Sequence, residues 1–228
     1  MIITFGIASY NNAKNLLLTI NTIRKTMNNY KKYNYEVIVI DDNSTDNTEY
    51  KLKDIKKNNV KYFKNSSNLG FGKSILKAAH FGKGKFFKIV HSSNIENSKD
   101  LSMYINNINK YNVIIPYIID QRIFYRKFLS KFCTLILNLV SGQNLKYFQS
   151  PLMCERKKFI KCFPKNNYGS FFLSTMIYKL VNNNNSILEF GIKPKFKKGS
   201  TALSFYNLIS LLISIVTIFI LRIKSKIK

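Results

Sequence analysis

Only eleven acidic side chains are present in 228 residues, and three of them stand within six positions, Asp41, Asp42 and Asp46. They follow Glu36-Val37-Ile38-Val39-Ile40, a short apolar strand that runs straight into acids and small turn residues. That layout puts carboxylates at the carboxyl end of a buried parallel strand, where open α/β sheets bind ligands. A strand ending in a solvated acidic turn that caps the next helix has the same pattern. Farther on, Asn68-Leu69-Gly70-Phe71-Gly72 precedes Lys73. Glycines there permit close backbone approach to a ligand, and a lysine pairs with phosphate; an ordinary turn before a helix is the plainer alternative. A third polar segment, His91-Ser92-Ser93-Asn94, offers only neutral groups, which bind a divalent ion far more weakly than carboxylates do.

The elements that must hold these segments can be read from periodicity. Residues 2–8 form an apolar strand, and residues 13–27 place Leu16, Leu17, Ile20, Ile23 and Met27 on one helical face, with Asn11 and Asn12 as caps. A strand at 37–40, a polar helix near 48–56, a strand at 60–63 and a helix over 73–81 come next. Residues 86–90 read as a strand, 101–108 as a helix begun by Ser98, and 113–119 as another strand. Strands alternating with helices predict a mainly parallel, doubly wound α/β sheet. From Arg122 onward, Phe124, Phe128, Leu129, Phe132, Leu135, Ile136 and Leu139 outline an apolar helical face edged by Arg122, Arg126, Lys127 and Lys131. Such a stripe suits a packed core helix or an anionic membrane surface.

Lysine and arginine number 37 against 11 Asp and Glu, a formal net charge of +26. The surface field is therefore strongly positive, suited to nucleic acid, an anionic membrane or phosphorylated substrates. No recognition-helix or RNA-binding motif accompanies the charge, which argues against nucleic acid. Residues 203–221 are nearly all apolar and uncharged, and Arg222, Lys224, Lys226 and Lys228 follow. About 20 apolar residues span a bilayer core. Ser204, Asn207, Ser210, Ser214 and Thr217 interrupt the stretch, so a spanning helix, a helix lying in the interface and a buried core helix are all compatible with it. The expected division is a domain over 1–202 and a membrane-associated helix with a basic tail over 203–228. Met1-Ile2-Ile3-Thr4-Phe5 begins a strand without a basic leader, so the protein is expected at the cytoplasmic face of the cell membrane, anchored by its C-terminal segment. Cys133, Cys154 and Cys162 lack close metal-ligand spacing and read as reduced thiols, and two histidines, His80 and His91, are too few for a histidine metal site.

Taken together, residues 1–12, Asp41-Asp42-Asn43-Ser44-Thr45-Asp46 and Asn68-Leu69-Gly70 resemble the nucleotide-binding half of family 2 glycosyltransferases, whose fold is GT-A, a Rossmann-like sheet flanked by helices. Their usual wording is Asp-Asp-Gly-Ser-Thr-Asp; Asn43 replaces the glycine, and Asn also tolerates turn conformations. The resemblance implies a nucleotide-sugar donor held by Ala8, Tyr10, Asn11, Asp41, Asp42, Asn68, Gly70, Lys73, Ser92 and Asn94. It also implies an Asp-x-Asp motif holding Mg²⁺ or Mn²⁺, but Ser92 and Asn94 occupy the two acid positions. No metal ligand or cofactor is therefore assigned. An ion held by the diphosphate and Glu96, lysines in its place, or loss of catalysis are the options this leaves.

The later half is similar to the polyprenyl-phosphate branch, the dolichol-phosphate mannose synthase-like enzymes, through Ser141-Gly142, Ser150-Pro151-Leu152-Met153-Cys154-Glu155-Arg156, Ile187-Leu188-Glu189-Phe190-Gly191-Ile192 and Lys197-Lys198-Gly199-Ser200. The likeness covers about residues 1–202. Tyr147 stands where that branch has aspartate, Pro151 where it has glycine, and no arginine occurs in the 193–198 loop. What it implies is a lipid-phosphate or other glycan acceptor met by Arg156, Lys197, Lys198 and Ser200, and inversion by direct displacement. An acceptor phosphate is anionic near neutral pH and needs no carboxylate base; no catalytic residue is assigned. The rival expectation is a non-catalytic relative that binds nucleotide, lipid phosphate or a partner enzyme.

Overall fold

Strands β1 (Ile2–Ser9) and β2 (Asn34–Asp41) are apolar on both faces because both faces are covered, and their inner residues are buried throughout. In the computed structural model, which describes residues 1–52, 59–119, 124–165, 169, 171–183, 185–194 and 205–226, they are adjacent inner strands of a seven-stranded sheet. Around them the chain runs α1 (Ala13–Met27), α2 (Thr48–Leu52), β3 (Val60–Lys64), α3 (Phe71–Phe81), β4 (Phe86–His91), α4 (Ser98–Asn107) and β5 (Val113–Ile118). It continues with α5 (Phe124–Ser141), β6 (Met153–Glu155), α6 (Arg156–Cys162), α7 (Phe172–Val181), β7 (Ile187–Ile192) and α8 (Phe205–Lys226). The strand order is β3-β2-β1-β4-β6-β5-β7. Short β6 runs antiparallel to β4 and β5, while the other neighbours are parallel.

One core, under α1 and α4, gathers Ile3, Phe5, Ile7, Leu16, Ile20, Val37, Val39, Leu101 and Tyr104. The other, under α3, α6 and α7, gathers Ile38, Ile40, Ile75, Phe87, Ile89, Phe159, Phe172 and Ile177. Gly6 is required where β1 meets β4, since a Cβ there would lie 2.3 Å from the Phe87 ring. The expected strands and helices up to residue 119 are present, with three adjustments. Helix α3 begins at Phe71, so Gly72 and Lys73 belong to its first turn. Helix α4 is capped by Asn97, whose side chain accepts from Asp100 N–H while the Asp100 carboxylate accepts from Asn97 N–H. Of the polar helix expected to residue 56, Thr48–Leu52 is helical and 53–58 lie outside the described residues. Strand β6 has three residues and no periodicity from which to read it.

Helix α8 packs on α5 and α7. Its Ile218 is fully buried, Ser210 Oγ accepts from Phe171 N–H at 3.1 Å, and Ser214 Oγ donates to Phe171 O at 2.8 Å. Arg222 donates to Leu139 O and Val140 O at the end of α5, at 2.7 and 3.0 Å. Asn207–Ser225 is long and apolar enough to cross a membrane, with mean hydropathy 2.1 and only 17% of it buried.

Candidate active site

Register brings the polar segments together. Ser9 pairs with Asp41 and Ala8 with both Ile40 and His91, so the loops after β1, β2 and β4 emerge side by side at the carboxyl edge. Asn11, at φ +46°, stitches the first two: its N–H donates to Ser44 Oγ at 2.9 Å and its Oδ1 accepts from Thr45 N–H at 2.8 Å. Asp46 then accepts from Ala13 N–H at 3.2 Å, at the start of α1, where a carboxylate suits the unpaired amides. Asn43 has φ +67°, the left-handed conformation in which asparagine replaces glycine at modest cost.

The two adjacent aspartates have separate tasks. Asp42, 4% exposed, accepts from Asn65 Nδ2, Leu69 N–H and Gly70 N–H at 2.8 Å and from Ser74 Oγ at 3.0 Å. Through these four protein donors Asp42, expected to touch the nucleotide sugar, anchors the glycine loop to β2. Gly70 takes φ +85°, and a Cβ built on it would meet nothing within 4 Å, leaving room before the first turn of α3. That turn carries Lys73 and no acid, so the partial positive charge of the helix amino end has a basic residue on the same turn. Asp41, 1% exposed, accepts from Ser44 N–H at 2.8 Å and from the Tyr62 hydroxyl at 2.5 Å. Burial and the adjoining Asp41 carboxylate raise the Tyr62 pKa, keeping the phenol protonated as a donor. Tyr10 is exposed at the rim.

At the end of β4, His91 stacks on Phe71 with centroids 5.4 Å apart and rings 11° from parallel. Burial, reinforced by the charge of Lys88, pushes its pKa down to about 4, so the imidazole is neutral at neutral pH. Ser92 Oγ accepts from Asn12 Nδ2 at 3.2 Å and faces the loop after β1. Asn94 does not converge with it: at φ +52°, its Oδ1 accepts from Thr22 Oγ1 at 3.0 Å on α1. Glu96 cannot substitute, because it is buried against Lys88, 2.9 Å away, and accepts from Tyr104 Oη at 3.0 Å. Lys88 Nζ also donates to Ile89 O and Pro151 O at 2.6 and 2.7 Å. Among the described residues no three His, Cys, Asp or Glu side chains are placed to hold a metal ion. The donor set at this turn is therefore neutral and does not fit Mg²⁺ or Mn²⁺.

Arg156 lies at the other end of the sheet. Its Nε donates to Gly84 O at 2.8 Å and its terminal nitrogen to Ala79 O at 3.1 Å, while its N–H donates to Lys85 O at 2.8 Å, at the amino end of β4. Antiparallel β6 delivers it there, where it locks β6 to α3, away from the carboxyl edge at which the expected donor-binding residues gather. Lys197, Lys198 and Ser200 lie outside the described residues. The structure adds Asn12, Tyr62, Asn65, Phe71, Ser74 and His91 to this edge. Asn65 and Ser74 carry no sequence signal, since only the fold brings them to Asp42.

This sheet, with its polar loops gathered at the carboxyl edge, is of the GT-A class. The profile of glycosyl transferase family 2 matches residues 4–171, and the chain belongs to that family. Among solved structures, glucosyl-3-phosphoglycerate synthase from Mycobacterium tuberculosis, in complex with Mn²⁺, UDP and phosphoglyceric acid, aligns with TM-score 0.70 and 12% identity over 94% of this chain and 78% of that one. S. aureus TarS 1–349 aligns with TM-score 0.58 and 20% identity, covering 82% of this chain and 58% of that one. Its complex with UDP-GlcNAc gives 0.64 and 18%, with coverages of 96% and 66%. The chain thus spans little more than half of the TarS fragment in one of these alignments. No curated protein matches the sequence significantly.

Proposed function

We propose that this chain transfers a sugar from a nucleoside diphosphate donor, of which UDP-sugars are the first to test, to a phosphate-bearing acceptor at the cytoplasmic face of a membrane, polyprenyl phosphate being the expected class. The observation that carries the reading is the Asp42 clamp, which sets the 68–70 loop and the amino end of α3 beside Asn11 and Asp41. Asp41 with Tyr62 and Asn11 receive the base and ribose, with Ala8 and Tyr10 as wall and rim. Gly70, Asn68 and Lys73 lie along the diphosphate, where positive charge stabilises the leaving group. An acceptor phosphate oxygen attacks the anomeric carbon as the bond to the diphosphate oxygen breaks, with inversion, and no proton has to be removed. This suits the carboxylates near the carboxyl edge: Asp41 and Asp42 are engaged by protein donors and Asp46 accepts at the start of α1, while Glu36, Glu96, Asp100 and Glu189 are held within the fold, Glu155 pairs with Phe86 at the amino end of β4, and Glu49 is exposed on α2.

The test is heat protection of the full chain by UDP- and GDP-sugars with and without Mn²⁺, followed by product formation with polyprenyl phosphate. A ligand at about a hundred times its Kd stabilises by about 2.7 kcal/mol. Protection that does not depend on Mn²⁺ supports the reading, and protection by no nucleotide sugar ends it. The neutral turn at Ser92, Ser93 and Asn94 favours one alternative, a relative that binds donor without transfer; donor binding without product would select it.

A further inference from the structure

Helix α8 is inside out for a helix of a soluble core. Its polar residues Asn207, Ser210 and Ser214 face the protein and are buried, Ser214 completely, whereas Leu212 is 61% exposed and Leu208, Val216, Phe219 and Ile223 share its outward stripe. Burial of apolar surface drives soluble folding, so a helix facing water would be turned the other way. Helix α5 repeats the pattern: Phe124, Phe128, Phe132, Leu135 and Leu139 are exposed with the same 4-4-3-4 spacing, Phe128 at 64%. The helices touch, and Leu137 of α5 and Ile218 of α8 are buried in the same core, so the faces turned away from that core lie on one side of the molecule.

We infer that α5 and α8 together form a membrane-binding face that lies in the plane of an anionic bilayer surface, an inference that rests on the membrane-acceptor part of the reading above. Charge identifies the occupant as anionic lipid. No carboxylate side chain occurs between Asp120 and Glu155 or after Glu189, while Lys127, Lys131, Arg222 and Lys224 lie on these two helices. Basic residues around an apolar face suit headgroups of opposite charge. Geometry argues for lying rather than spanning. Helix α8 is fastened to the body from Ser210 to Arg222, about 18 Å of helix at 1.5 Å per residue. Were it to cross a hydrocarbon layer of about 30 Å, α7 and the end of α5 would be drawn into the bilayer with it. Lying flat, it immerses both stripes and leaves the sheet in water.

The test uses the full chain, purified in detergent and transferred to vesicles of phosphatidylglycerol mixed with phosphatidylcholine, or of phosphatidylcholine alone, and floated on a density gradient. Phe128→Glu with Phe132→Glu, and separately Leu212→Glu with Val216→Glu, should each lower partition into the anionic vesicles by about tenfold or more, with weaker binding of wild type to the neutral ones. Unchanged melting temperatures verify that the variants fold. If the α5 pair partitions like wild type while the α8 pair does not, α8 acts alone as an anchor and the shared face is wrong. If the chain ignores vesicles and light scattering shows a dimer that the α5 pair dissociates, the occupant is a second copy and the inference falls. Heat protection by UDP-sugars in the same variants separates this outcome from failure of the donor reading.

Discussion

Asp42 is the side chain that ties the 68–70 loop and the start of α3 to β2. Asp42→Ala leaves the Leu69 and Gly70 amides, Asn65 and Ser74 without their acceptor. We expect a loss of about 2–4 kcal/mol in urea denaturation, since unsatisfied buried donors cost about 1–3 kcal/mol each before relaxation, together with weaker donor binding by calorimetry. Asp41→Asn should weaken nucleotide binding while costing less stability; unchanged affinity would move the base site elsewhere. At the end of β4, Ser92→Asp with Ser93→Asp should tighten Mn²⁺ binding more than Ser92→Asp with Asn94→Asp. The reason is that both serine hydroxyls lie near Asn12 Nδ2 whereas Asn94 is bonded to Thr22. His91 adds a pH dependence. Its pKa drops from 6.5 in the unfolded chain to about 4 in the fold, so between those values the unfolded state binds the extra proton. Stability should therefore rise with pH from about 4 to 6.5, and His91→Gln should flatten that part of the profile measured by thermal melts.

Among the elements, β4, α4 and the turn before β6 are joined by Lys88, Glu96 and Tyr104. Burial pushes Lys88 down and Glu96 up, each opposed by the charge of the other, and the lysine lies 4.0 Å from the centroid of the Tyr104 ring. Lys88→Met would leave Glu96 buried without a counter-ion, at a cost of about 3–5 kcal/mol. Lys88→Met with Glu96→Gln should recover part of that, and a double-mutant cycle in urea measures the coupling. A cycle with no coupling would mean that the two charges are solvated in ways the burial of this network does not allow. The same network explains why Glu96, near the family's metal motif in sequence, plays no part at the crevice.

For the molecule as a whole, the C-terminal helix packs on α5 and α7 and contributes Ile218 to the core. Deleting residues 205–228 removes Ile218 and the Phe171 contacts of Ser210 and Ser214, so the truncated chain should melt at lower temperature and aggregate rather than become a clean soluble domain. Surface substitutions on α5 and α8 are the better probe of membrane binding. Net charge acts at this scale too. With +26 charges the folded chain repels itself. Moderate salt, which shortens the screening length to about 8 Å at 0.15 M, should raise its melting temperature relative to low salt; a fall would show that ion pairs dominate.

The strand before Asp41, the turn at 41–46, the Asn68-Leu69-Gly70 run and the β-α alternation were legible in the sequence because each is local, a matter of periodicity, turn residues and short spacing. That sufficed for the fold class and the family. What each side chain does at the carboxyl edge depends on partners far away in the chain. Asp42 spends its oxygens on Asn65, the 69–70 amides and Ser74, Asn94 turns to Thr22, and Glu96 pairs with Lys88. Arg156 lies at the amino end of β4 because β6 runs antiparallel, a reversal set by pairing with β4 and β5 that three residues cannot announce. The orientation of α8 likewise needed the tertiary structure: composition shows a helix of apolar residues interrupted by serines, but only packing decides whether the serines face inward or out.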